Sequence, residues 1–241
     1  MTRTTIMQTK DFSVGQAFKF ALKGVLDGRF LIKAFALNFL LIAFMATLLA
    51  LISATARSSY ASGPFVLMVI VPLLTVSFLV LLASPLYVYS CLCKMSLDFY
   101  DFGSTSVRNA FFAIARRFFE IIGLSFVSWA GVSIGLLFFI VPGYIFFFLT
   151  KLAFLVLIDT ECGVTDSLRI SWSLTRGVRM KLLIFSSVFI LPYLIIGSLN
   201  LLPAEYRALR IIVIVGSAIL ILFNFLLSAF VYRNLQNREV Q

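Results

Sequence analysis

The stretch LVLIDTECGVTDSLRISWSLTRGVRMKLLIF, residues 155–185, decides how this chain is read. An apolar run stops at Asp159, a half-polar segment follows, and the apolar run resumes after Arg176, Arg179 and Lys181. Inside the interruption, Val164, Ser167, Leu168, Ser171, Trp172 and Thr175 fall at i, i+3, i+4, i+7, i+8 and i+11. That spacing is one face of an α-helix. The interruption therefore reads as a short amphipathic helix set between apolar segments.

The same pattern occurs twice more. SVGQAFKFALKGVLDGRFLIKAF from Ser13 carries Val14, Ala17, Phe18, Ala21, Leu22 and Val25 at those positions. SVRNAFFAIARRFFEIIGLSF from Ser106 carries Val107, Ala110, Phe111, Ile114, Ala115 and Phe118. Position i+3 is small and i+4 large in all three copies, and each copy is followed by basic residues and then an apolar run. Ser13 with Gln16 also has the spacing of a capping box. The chain is expected to be one membrane domain, 1–241, built from three repeat units at about 13–92, 106–158 and 163–235. Each short helix is expected to lie at the cytoplasmic surface with its apolar face toward lipid. The small residues at i+3 leave a second arrangement open, in which these helices pack on the protein's own bundle.

Composition fixes the class. The 241 residues are 61% hydrophobic and only 12% charged, with a mean hydropathy of +1.07. A soluble domain is about 45–50% apolar and about 25% charged, so this chain cannot cover a water-facing surface and is expected to be a membrane protein. Six apolar runs match the roughly 20 residues a bilayer core demands, at about 30–52, 64–92, 121–140, 144–158, 182–199 and 211–232. Val141-Pro142-Gly143 reads as a tight turn between the third and fourth. Pro72 and Pro85 suggest kinks in the second. Ala54-Thr55-Ala56 resembles a signal-peptidase site, but the run before it exceeds a signal core, so the first span is expected to stay uncleaved. The expected fold is all-α: a polytopic membrane protein with six transmembrane helices as three hairpins, each preceded by a cytoplasmic interfacial amphipathic helix.

The net charge of +10 comes from 20 Lys and Arg against 10 Asp and Glu. Sixteen of those cations fall in the N-terminal tail, in the segments before the third and fifth runs, and in the C-terminal tail; only Arg57, Arg207 and Arg210 fall on the other side, and Lys151 lies inside a run. This is the positive-inside pattern. It implies that both termini are cytoplasmic, and it accounts for the charge without a nucleic-acid partner. Tyr87, Tyr89, Tyr100, Tyr144 and Tyr232 sit near run ends, where an aromatic belt would lie.

Residues 141–185 resemble the YciC-like bacterial membrane proteins and the related membrane domains of some glycerophosphodiester phosphodiesterases. The residues that carry the resemblance are Pro142, Gly143, Asp159, Ser167, Leu168, Ser171, Leu174 and Gly177. The resemblance implies a multi-span protein of the bacterial cytoplasmic (inner) membrane tied to envelope or lipid functions, and it supplies no catalytic residues.

The chain has no histidine, which removes most general-base, serine-triad and zinc schemes. Cys91, Cys93 and Cys162 are too few for a thiolate metal site and read as small apolar residues. No phosphate-cradling glycine loop is present. The chain is therefore expected to be no enzyme, with no catalytic, metal or cofactor-binding residues and no cofactor. Arg29, Arg116, Arg117, Arg176 and Arg179 follow the amphipathic stripes, where the phosphates of anionic lipids would lie, and are the expected headgroup ligands. Lys151 is the one charge well inside an apolar run. It reads as a site for an anion, as a snorkelling side chain, or as a partner of Glu120. The expected function is that of an envelope- or lipid-associated organising or accessory protein, with membrane lipids and a membrane-protein partner. The alternative is a transporter for a small anionic or lipid-like solute.

Overall fold

A computed structural model describes residues 14–59, 64–138, 140–160, 162–178 and 207–239. All regular structure among them is helical: α1 Val14–Leu26, α2 Gly28–Ser59, α3 Pro64–Phe102, α4 Val107–Arg116, α5 Phe118–Phe138, α6 Ile140–Thr160, α7 Val164–Leu174 and α8 Arg207–Glu239. Among the described residues, four stretches are long and apolar enough to cross a bilayer: Gly28–Ala50, Phe118–Phe138, Gly143–Thr160 and Val215–Asn237. These four mark a membrane protein. The expected second span falls within α3, and the expected fifth, 182–199, lies outside the described residues, as does Ser13 of the expected capping box.

The three repeated stripes are the three short helices, α1, α4 and α7. Local chemistry delimits them. Ser106 caps α4, its side chain accepting the Asn109 N–H at 3.3 Å, and Asp27 Oδ1 accepts the Arg29 N–H at 3.0 Å between α1 and α2. Gly103, at φ 66°, ends α3 in a left-handed conformation that costs glycine little.

Two boundaries differ from the sequence reading. α3 runs ten residues past the apolar run that ends near residue 92, because Lys94 pairs with Asp98 at 2.9 Å while Met95, Leu97 and Phe99 face the core. The turn between α5 and α6 comes earlier than Val141-Pro142-Gly143. Pro142 and Gly143 lie in the first turn of α6, where the missing proline N–H has no helical acceptor to lose. Gly143 serves close approach instead: a Cβ there would stand 2.7 Å from the backbone nitrogen of Leu136 on α5.

Polar contacts place one end of every long helix together. Lys33 near the start of α2 donates to the Thr105 carbonyl just past the end of α3. Arg117 at the start of α5 donates to the carbonyls of Leu157 and Cys162 at the end of α6. Arg233 near the end of α8 joins Asp101 of α3 and Asp159 of α6. Antiparallel register follows, with Phe30 of α2 beside Phe99 of α3 (ring centroids 5.2 Å apart) and Met45 beside Ser84 further along. Helices α3, α6 and α8 pack on one another as an inner layer, with α2 along α3 and α5 along α6.

The short helices sit at this same basic end, wrapped on the inner layer. α4 packs on α3 and α7 on α6, in each case the long helix just before it in the chain. α1, the first described helix, packs on α8. Every short helix turns its small face inward. Ala17, Ala21 and Gly24 of α1, Ala110 and Ile114 of α4, and Ser167, Ser171 and Leu174 of α7 are buried. Of the two arrangements left open by the sequence, the bundle-packed one describes these contacts. α7 does not leave the bundle to lie apart from it: the Ser171 hydroxyl donates to the Leu149 carbonyl at 2.6 Å, roughly 16 Å of helix back from Thr160.

A small-residue seam of this kind is sensitive to size. Ala21→Leu or Ala110→Leu should overpack it, costing about 1–3 kcal/mol and lowering the thermal midpoint of the detergent-solubilised protein by roughly 2–4 °C per kcal/mol. The outward Phe112→Ser exchange should leave that midpoint within about 1–2 °C.

Candidate functional site

The ring of short helices has a mixed outer surface. Phe18 and Leu22 of α1, Phe111 and Phe112 of α4 and Trp172 of α7 are about half exposed. Lys19 and Lys23, Arg108 and Arg116, and Arg169 stand exposed on the same three helices. Arg108 lies over the Phe112 ring at 5.9 Å, so cation and aromatic group share one patch. The result is a rim of apolar bodies with cationic tips, formed by side chains the seam does not use.

The five arginines singled out from the sequence divide. Arg29, Arg116 and Arg176 are exposed around the rim. Arg179 lies outside the described residues. Arg117 turns inward: its guanidinium donates to the Leu157 carbonyl and, at 2.5 Å, to the Cys162 carbonyl, and it pairs with Glu120. The carbonyls at a helix C-terminus lack intrahelical donors, and Arg117 supplies them for α6, so it acts as a cap and is not free for a headgroup.

Deeper in, Arg233 grips two carboxylates. Its two terminal nitrogens meet both oxygens of Asp159 at 2.6 and 2.8 Å, and Nη2 also meets Asp101 Oδ2. Two parallel N–H···O bonds to one carboxylate are the strong form of this interaction. The Tyr232 hydroxyl adds a bond to Asp159 Oδ2 at 2.9 Å. The sequence places Tyr232 near a run end, in an aromatic belt; in the structure it is buried, and Asp101, Asp159, Tyr232 and Arg233 all lie within helices. The available signal was that two apolar runs, ending near residues 158 and 232, each stop beside one of these charges.

Lys151 forms a second polar layer about 12 Å further along α6 from Asp159. Its ammonium donates to Asn224 Oδ1 on α8. Ser228, one turn on, donates to the Asn224 carbonyl at 2.6 Å. Cys93 of α3 faces the same ammonium and is hydrogen-bonded by Tyr89. The suggested pairing of Lys151 with Glu120 is not formed, since Glu120 pairs with Arg117, the nearer cation three residues before it. A lysine at the middle of a lone membrane helix costs about 2.5–3.5 kcal/mol on insertion scales. One neutral amide oxygen offsets part of that and leaves the charge uncancelled.

No family model, no curated protein and no solved structure matches this chain.

Removing one member of the Arg233 cluster should be worse than removing all of it. Arg233→Met leaves two carboxylates facing each other and should cost about 3 kcal/mol, the low end for a broken buried pair. The triple exchange Asp101→Leu, Asp159→Leu, Arg233→Met should recover most of that loss when thermal midpoints are compared.

Proposed function

We propose that this chain is a six-span protein of the bacterial cytoplasmic membrane, with both termini cytoplasmic, and that it gathers anionic lipid around its basic end without catalysing a reaction. The six spans would form three hairpins, each entered through one short helix. The placement of α7 at the basic end supports a further crossing at 182–199 before α8, and the ring of short helices supports the three repeat units. The motif likeness to YciC-like proteins agrees with an envelope role.

One observation carries the lipid reading. All three short helices bury a small-residue seam and leave large apolar side chains half exposed beside exposed Lys and Arg. A surface helix of a soluble protein would hide the aromatic groups and expose only polar ones. A helix at a headgroup boundary does what these three do: rings reach the acyl region and cations reach the phosphates. A membrane-protein partner could share this rim.

The test is lipid enrichment around the protein in vesicles of mixed phosphatidylcholine and phosphatidylglycerol. A basic residue near an anionic surface contributes about 1 kcal/mol, so Arg29→Gln, Arg116→Gln and Arg176→Gln should each reduce phosphatidylglycerol enrichment by up to about fivefold at low salt. Arg117→Gln should lower thermal stability and leave enrichment unchanged. Enrichment that survives the triple exchange would contradict the reading.

A further inference from the structure

Among the described residues, the bundle cations toward the basic end hold carboxylates, except Lys33, which donates to the Thr105 carbonyl. Lys94 pairs with Asp98, Arg117 with Glu120, and Arg233 with Asp101 and Asp159. Lys151 is left with a neutral partner, the amide oxygen of Asn224. An ammonium has three N–H donors and no acceptor, so two remain for something else. Lys151 and Asn224 are each intermediate in exposure as whole residues, and the Lys151 ammonium itself is buried among the helices. Ser228 adds a hydroxyl 3.4 Å from the same amide oxygen, and Tyr89 and Cys93 bring further polar atoms from α3.

A structural lysine at this depth would be expected to hold a carboxylate, as Lys94, Arg117 and Arg233 do. We infer that Lys151, Asn224 and Ser228 form an anion-binding site within the inner three helices, one that takes a phosphate or carboxylate group. The ammonium supplies the charge and two donors, Asn224 holds the lysine in place, and the Ser228 hydroxyl adds a third donor only by giving up its bond to the Asn224 carbonyl. The anion would arrive either as a small solute or as the headgroup of a lipid whose chains stay among the helices. The site is separate from the arginine rim, and its existence does not depend on the rim's lipid preference.

The experiment uses the full chain in nanodiscs of pure phosphatidylcholine and follows the thermal midpoint against two probes, inorganic phosphate and dihexanoyl phosphatidic acid. At about a hundredfold excess over Kd, binding should raise the wild-type midpoint by roughly 5–10 °C. A response to both probes assigns a small-anion site, and a response to phosphatidic acid alone assigns a lipid headgroup. Lys151→Met should lose the response, and without probe it should melt at or above the wild-type temperature, because an uncancelled charge has gone. The Arg29, Arg116 and Arg176 triple Gln variant should keep the response, which separates this site from the rim. A Lys151→Met protein that melts lower than wild type would show that the lysine is a structural tie. No wild-type response to either probe, or an equal response in Lys151→Met, would likewise overturn the proposal. Should Lys151→Met fail to accumulate, Asn224→Leu is compared in its place, with loss of the response expected and its retention overturning the site.

Discussion

The guanidinium of Arg233, shared between Asp101 and Asp159, is the constraint on which the rest of the arrangement depends. Charged groups in so apolar a chain are costly unless they meet one another with good geometry. Only helices whose charged ends lie at one level can bring an arginine and two aspartates from three distant points of the chain together. Once α3, α6 and α8 are tied in this way, their C-terminal ends share one side. The antiparallel neighbours α2 and α5 must then begin there. The inward turn of Arg117 and the reach of Lys33 to Thr105 are consistent with the same level.

The short helices solve a second problem at that end. Inner helices that run past their apolar stretches present flanks that water would reach. The three seams, built on Ala17 and Ala21, Ala110 and Ile114, and Ser167 and Ser171, cover those flanks at close range. Small residues allow that approach, and the serine hydroxyls need carbonyl acceptors, which Ser171 finds on Leu149. α1 covers α8, while α4 and α7 each cover the long helix that precedes them. What the seams do not use, the aromatic and cationic flanks, forms the rim proposed above to gather lipid.

Much of the helix inventory could be read from the chain, because periodicity and apolar run length are local. The stripes beginning at Val14, Val107 and Val164 became helices starting at those residues. Which flank of each stripe faces protein was not legible from period alone, since Ala17 and Phe18 belong to the same apolar face. The answer came from size: close packing favours alanine and serine and turns phenylalanine outward. The Arg233 cluster and the Lys151–Asn224 pair were missed for a different reason. Each joins residues more than seventy positions apart, and their coincidence depends on the register of helices the sequence does not print. The inward turn of Arg117 was hidden likewise, because its carbonyl acceptors carry no signature in residue type.

The central claim is that the ring of short helices stands on one side of the membrane and the far ends of the long helices on the other. Single cysteines at Lys19, Arg108, Arg169 and Ser53, all exposed positions, can be placed in a chain whose Cys91, Cys93 and Cys162 have been replaced by alanine. They can then be exposed to a membrane-impermeant maleimide in intact and in opened bacterial cells. The account predicts that Ser53→Cys reacts in intact cells and that the other three react only once the cytoplasm is opened. Reaction of any rim position in intact cells, or protection of Ser53→Cys there, would contradict it.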